Sequence, residues 1–217
     1  MAVRSQTDKA ISIAASEFIW NEVGLTAIHN AIAPVIIPWL KPTQVKTILD
    51  LGCGNGAFTA FLARKGFEVT GCDMSKTGIE LAKEQYSNIS WFEQNLQQLL
   101  PNEYKEKFDV VLSIEVIEHL FLPRKLIENA SFALKPKGLF IITTPYHGYL
   151  KNLALALTNQ FDNHWHPLRD FGHIKFFSKK TVIALLEEFN FKNIQYTTIG
   201  RIPPLARSMI IAGTKNT

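Results

Sequence analysis

The chain has 217 residues, 47% hydrophobic and 19% charged, with a formal net charge of +4. That length and balance suit one α/β domain around a single large core and exclude a disordered or collagen-like chain. Lys and Arg are scattered without a run of five, so the slight excess of cations does not mark a nucleic-acid surface.

Short β-branched runs alternate with longer amphipathic stretches, the pattern of βαβ units. Residues 9–32 carry apolar positions near helical spacing and are expected as a helix within an N-terminal helical cap over residues 1–45. The most apolar run, residues 31–40, is broken by Pro34 and Pro38, and no stretch reaches the roughly 18 apolar residues that span a bilayer. The opening residues also lack the uninterrupted apolar core of a signal peptide.

Lys46–Leu51 is the first strand, followed by a glycine-rich turn and a helix over Ala57–Lys65. Glu68–Cys72 is the second strand, with Asp73 at its end, and a helix follows from Lys76 to Gln85. Ile89–Glu93 is the third, and Phe108–Ile114 is a continuous apolar run of the kind buried on both faces. A helix over Arg124–Leu134 stops at Lys-Pro-Lys-Gly, where Pro136 and Gly138 interrupt it, and Leu139–Thr143 is the fifth strand.

Residues 145–178 form a long insertion with one amphipathic piece near Tyr149–Asn159. Connections of that length usually carry function. Lys179–Phe189 is the last helix, and Phe191–Ile199 and Met209–Gly213 are strands joined across Pro203 and Pro204.

The strongest motif is Ile48-Leu-Asp-Leu-Gly-Cys-Gly-Asn-Gly56, an apolar strand ending in Asp50 and turning through Gly52, Gly54 and Gly56 into a helix. Glycine permits positive φ and close backbone approach to a ligand. Gly52, Gly54 and Ala57 also satisfy the dinucleotide pattern G-x-G-x-x-[GA], so the turn alone leaves a nicotinamide dehydrogenase open.

With Asp50 and Asp73 at the ends of the first two strands, the sequence resembles the class I S-adenosylmethionine-dependent methyltransferases. The resemblance runs from about Lys46 to the C-terminus. It implies a Rossmann-like α/β fold over residues 1–217: a seven-stranded, mostly parallel sheet with helices on both faces and a C-terminal antiparallel hairpin. It also implies cofactor contacts at Asp50, Gly52, Gly54, Gly56, Asp73, Met74, Asn95, Leu96 and Glu115, with Asp73 on the ribose hydroxyls. Asn95 stands where the family more often has an acid. Cys53 and Cys72 lie beside this site as small packing residues; with no C-x-x-C pair they point to a reducing, cytoplasmic setting.

After the fourth strand comes Glu115-Val-Ile-Glu-His119. If a helix starts there, Glu115, Glu118 and His119 share a face at the carboxyl ends of the strands. Two carboxylates and an imidazole suit Mg2+ or another divalent cation, with His164, His166 or His173 as a further ligand. The spacing resembles the ubiquinone-biosynthesis O-methyltransferases and the small-RNA 3′-terminal 2′-O-methyltransferases. In both, the later His precedes a Lys-Phe segment, as His173 does here. The same motif also occurs in methyltransferases not known to need metal.

Glu118, His119 and His173 are therefore the catalytic candidates, as metal ligands together with Glu115 or, without metal, as acid-base groups. Aromatic and His residues crowd the region Asn159–Phe177 and suit a wall for an apolar acceptor, with Phe18, Ile19 and Trp20 as its lid. Leu150, Leu153, Ala154, Leu157 and Phe161 sit at helical spacing, as a core face or one that contacts a membrane. The favoured reading is O-methylation of a small phenolic or quinol-like acceptor. An RNA ribose 2′-O-methyltransferase and a cofactor-binding module without catalysis are the alternatives.

Overall fold

A computed structural model describes residues 18–40 and 45–216 of the chain. In chain order these contain α1 (Ala27–Leu40), β1 (Thr47–Leu51), α2 (Ala57–Ala63), β2 (Glu68–Asp73), α3 (Lys76–Gln85), β3 (Ser90–Glu93) and β4 (Phe108–Ile114). There follow α4 (Pro123–Ala133), β5 (Leu134–Pro145), α5 (Tyr149–Leu157), α6 (Phe161–Trp165), α7 (Lys179–Glu188), β6 (Phe191–Ile199) and β7 (Ser208–Lys215).

The strands form one sheet in the order β3-β2-β1-β4-β5-β7-β6. The first five are parallel, whereas β7 runs antiparallel to both β5 and β6 and lies between them. Strand order reverses between β1 and β4, and a crevice at the carboxyl ends of such a pair is where ligands bind in open α/β sheets. This is the Rossmann-like architecture that the sequence implied.

Alternate side chains of the central strands point to opposite faces, and both faces are buried. Leu49, Val111, Phe140, Ile142 and Ile211 meet Leu126, Ile127 and Ala130 of α4 and Val182 and Leu186 of α7. Ile48, Val110, Leu112, Ile141 and Ile210 face Ile32, Ile36 and Leu40 of α1 and Phe58 and Leu62 of α2.

The expected helix over 9–32 is corrected where it can be seen. Residues 18–26 have no regular structure, the helix begins at Ala27 and runs through Pro34 and Pro38, and residues 9–17 lie outside the described residues. Ile32, Ile36 and Leu40 recur every four residues and are buried, each contributing about 2 kcal/mol. Together they offset prolines that cost a helix interior ~3 kcal/mol apiece.

Around Lys-Pro-Lys-Gly the chain is already strand: β5 starts at Leu134, and its register against β4 shifts between Phe108 and Val110. That irregularity accommodates Pro136, which cannot donate to a ladder, and Lys137 at φ 64°.

The loop after β3 is tied to α4 by one buried side chain. Asn129 Nδ2 donates to the carbonyls of Leu96 and Gln98, at 3.1 and 2.9 Å, and its Oδ1 accepts from the Leu100 amide at 2.9 Å. Replacing it with Ala strands a donor and two acceptors in the interior, a loss of ~3 kcal/mol. Denaturant unfolding of Asn129→Ala should show that loss as a lower midpoint with an unchanged slope.

Candidate active site

The glycine turn leaves β1 with Gly52, Gly54 and Gly56 at φ 83°, 56° and 75°. The amides of Gly52 and Cys53 both donate to the Cys72 carbonyl, at 2.8 and 3.0 Å, which pins the turn to β2. Asp73 then brackets it: one carboxylate oxygen accepts from the Gly54 amide and the other from the Ser75 amide, both at 2.8 Å. Met74 beside it is half-buried.

Asp50 is placed beneath the turn. It is 2% exposed and accepts a 2.6 Å hydrogen bond from Thr59 on α2. Burial pushes its carboxyl up to about 6; the Thr59 hydrogen bond opposes this and the Asp73 charge adds to it. After β3, Leu96 is buried, and the Asn95 side chain accepts from the Gln97 amide, closing the loop upon itself. Cys53 and Cys72 are both buried, and desolvation pushes both thiols up, as packing residues require.

The segment expected to lid the acceptor cavity lies over this turn instead. Ser75 Oγ donates to the Phe18 carbonyl, the Trp20 amide donates to Thr77 Oγ1, and Asn55 Nδ2 donates to the Glu22 carbonyl. The Trp20 ring sits so close that a Cβ on Gly54 would lie 2.5 Å from it. Sequence periodicity has no signal for such a strap, because its backbone groups pair with side chains 33 to 57 residues away.

The strand-four motif does not start an α-helix. Glu115 takes the left-handed conformation at φ 54°, and a single 3-10 turn spans Ile117–His119. This removes Glu115 from the expected cluster: its Oε1 accepts from Thr143 Oγ1 at 2.9 Å and from Ser208 Oγ at 2.7 Å. Burial pushes this carboxyl up, opposed by the two hydroxyls and then by the charges of Arg207 and Lys151.

Glu118, His119 and His173 do come together, with one ligand atom from each lying within 4.8 Å of the others. The amides of Ile174 and Lys175 both donate to the Glu118 carbonyl, and this fixes His173 beside it. Glu118 is 1% exposed; Thr144 Oγ1 donates to its Oε2 at 2.9 Å, while Oε1 has no hydrogen-bond partner and lies 4.0 Å from His173 Nε2. Burial, then the Glu115 charge, push the Glu118 carboxyl well up.

His119 Nδ1 lies 3.1 and 3.2 Å from the carbonyls of Phe171 and Gly172. Carbonyls only accept, so Nδ1 carries the proton and Nε2 keeps the lone pair. Desolvation lowers His119, and it lowers His173 to about 4 with the help of the His119 and Arg169 charges. Both imidazoles are neutral near pH 7, the form that binds a metal or takes a proton. A buried carboxylate oxygen without a partner, beside two neutral imidazoles, is a donor set that fits a divalent cation.

Of the insertion, His164 stacks edge-on to His147 at 5.5 Å and His166 is exposed; neither joins the cluster. Trp165 packs against both Phe161 and Phe176, and Phe176 meets His147 edge-on. The α5 face expected as core or membrane contact is open: Tyr149, Leu150, Leu153 and Leu157 are all exposed.

The family described as "Methyltransferase domain" matches residues 27–196. The chain belongs to the methyltransferase domain family. Its turn, its acid at the end of β2 and its sheet are those of the S-adenosylmethionine-dependent Rossmann-like type. The domain is 32% identical over 132 residues to a protein of Coxiella burnetii named ubiquinone biosynthesis O-methyltransferase, covering 58% of this chain and 56% of that one. It thus spans about half the length of that relative. A protein of the same name from Methylobacterium nodulans is 26% identical over 200 residues, 83% of this chain and 79% of that one.

Among solved structures, a SAM-dependent methyltransferase from Archaeoglobus fulgidus superposes with a TM-score of 0.65 at 18% identity, covering 84% of this chain and 90% of that one. A protein of Pyrococcus horikoshii gives 0.67 at 21% identity, with coverage of 88% and 90%. These likenesses show the fold. Among the described residues, no helix of the domain is long and apolar enough to cross a membrane.

Gly54→Ala should cost about 1 kcal/mol for the left-handed backbone alone and displace Trp20. Calorimetry should show weakened S-adenosylhomocysteine binding, partly restored in the double variant Gly54→Ala/Trp20→Ala. A pH effect follows from His147, lowered from 6.5 to about 4 by burial, then by the charges of Lys151, His164 and His173. Because its folded value lies below its unfolded one, its contribution is full above pH 6.5 and is lost as pH falls towards about 4. Melting temperatures of His147→Gln should therefore fall less across that window than those of the wild type. The comparison separates His147 from Asp50, whose raised value of about 6 acts with the opposite sign.

Proposed function

We propose that the domain transfers a methyl group from S-adenosylmethionine to an oxygen of a small phenolic or quinol-like acceptor, with Glu118, His119 and His173 on the acceptor side. The observation that carries this reading is the Glu118 Oε1 atom, buried and without a hydrogen-bond partner, 4.0 Å from a neutral His173. The names of the Coxiella and Methylobacterium relatives support oxygen as the acceptor atom.

The sulfonium of S-adenosylmethionine supplies an already activated methyl group. The work left to the chain is to hold the acceptor oxygen in line and receive its proton. The glycine turn and Asp73 fit the donor: Gly52, Gly54 and Gly56 carry no side chain in the turn, and a carboxylate suits a vicinal diol. Leu96, held by Asn129, is the apolar side chain that would border the adenine.

On the acceptor side His119 presents the lone pair of Nε2, because Nδ1–H is engaged by two carbonyls. His173 is uncharged above about pH 4 and offers a second nitrogen. Burial and the Glu115 charge favour the protonated form of Glu118, and an approaching positive charge favours release of the proton. A divalent cation between Glu118, His119 and His173 would lower the pKa of an acceptor hydroxyl. Met74 and Glu115 complete the cofactor-side proposal, Glu115 through its position at the end of β4.

Titrating S-adenosylmethionine into the protein with chelator, then with Mn2+ or Mg2+ and a catechol acceptor, tests the reading. One cofactor site with methyl transfer to oxygen is expected; absence of cofactor binding would overturn it. Glu118→Gln should keep the Thr144 hydrogen bond, the fold and cofactor affinity. It should lose roughly a hundredfold or more in turnover, and equal rates for variant and wild type would remove Glu118 from the mechanism.

A further inference from the structure

A cavity of about 350 Å³ opens between α5, α6 and the segment joining β6 to β7, with Lys151, Thr158, Asn163, His164 and Arg201 among its lining residues. Its cations lack the usual counter-charges. Among the described residues no carboxylate lies within ion-pair distance of Lys151, Arg201 or Arg207. Lys151 is only 6% exposed, and its one hydrogen bond among those residues runs from Nζ to the Tyr146 carbonyl at 2.8 Å.

The acid facing Lys151 is Glu115, whose carboxylate is engaged by Thr143 and Ser208. Burying an ammonium group with no anion in direct contact is costly, and three N–H donors are more than one carbonyl satisfies. Desolvation, together with the charges of Arg201 and Arg207, lowers Lys151 to about 8. A bound anion would relieve that crowding of positive charge.

The cavity lies within electrostatic reach of the cluster described above, since the charge of His164, on its wall, acts on His173. Thr144 donates to Glu118, and two residues further along the same chain the Tyr146 carbonyl receives Lys151. His147, the residue after Tyr146, stands with its ring 5.5 Å from that of His164.

We propose that this cavity binds an oxyanion, a carboxylate or phosphate carried by the methyl acceptor and held by Lys151, His164 and Arg201, while the acceptor's hydroxyl reaches Glu118, His119 and His173. The Arg201 guanidinium grips the anion from the solvent side and Lys151 closes it from within. The inference rests on the methyltransferase reading for which molecule brings the anion, and on the cavity alone for the anion site.

The test is calorimetric titration of phenyl phosphate and of 3,4-dihydroxybenzoate into the full chain, with and without S-adenosylhomocysteine. Catechol serves as the uncharged control and phosphatidylglycerol vesicles as the lipid source of phosphate. Both free anions should bind more tightly than catechol. Arg201→Gln, at an exposed position, should weaken them by about tenfold, the scale of one charge-assisted hydrogen bond. Lys151→Gln should do the same if its melting curve shows a folded protein, and the Arg201 variant decides the matter if it does not.

Anion binding that is absent, unchanged in Arg201→Gln or confined to vesicles would overturn the proposal. Failure of S-adenosylhomocysteine to bind would instead count against the methyltransferase reading, while the anion titration without it still reports on the cavity.

Discussion

Strands β1, β2, β4 and β5 run parallel and are buried on both faces, and that constraint decides where the chemistry lies. Parallel neighbours need a crossover between them, so the loops leaving their carboxyl ends all emerge at one edge of the sheet. The glycine turn, Asp73, the Asn95–Leu96 loop, the Glu115–His119 motif and Thr144 lie along that edge because they follow consecutive strands. Distances in sequence of 20 to 70 residues collapse there to a few ångströms.

Upon that edge the structure places two different kinds of carboxylate. Asp73 is half-buried and accepts from two backbone amides, a setting that favours the charged form and suits a hydroxyl-bearing ligand. Glu118 is sealed from water with one oxygen uncommitted and a second acid nearby, a setting that favours the proton until a cation or a reacting hydroxyl arrives. The two lie at the end of β2 and beyond β4, on either side of β1, so the two sides of the crevice differ in electrostatics from the outset.

The insertion after β5 packs on the β4 side of this crevice. Its return segment is held by two amides on the Glu118 carbonyl, which delivers His173. Its outgoing helix delivers Lys151, whose ammonium group is pinned by the Tyr146 carbonyl. A single excursion of some thirty residues thus brings both a neutral imidazole and a buried cation to the mouth of the sheet. In the same way the strap through Trp20 closes the other half over Gly54.

The order of strands and helices from Lys46 onward was legible in the sequence, because burial on both faces writes continuous apolar runs and glycine alone tolerates the turn after β1. Asp73, Glu118 and His119 could be placed near strand ends for a related reason, because local chain geometry sets that spacing, whereas His173 was singled out by resemblance and is brought to Glu118 by the Ile174 and Lys175 amides on its carbonyl. Three features were decided by tertiary contacts. Helix α1 runs through two prolines because Ile32, Ile36 and Leu40 find a sheet face to cover. Glu115 leaves the cluster because its left-handed backbone turns it towards Thr143 and Ser208, the second of which is 93 residues away. The cationic cavity forms only where the insertion meets the segment between β6 and β7. Local periodicity carries the elements and the motif at a strand's end; which side chain meets which partner across the sheet is a matter of packing, and no run of neighbouring residues encodes it.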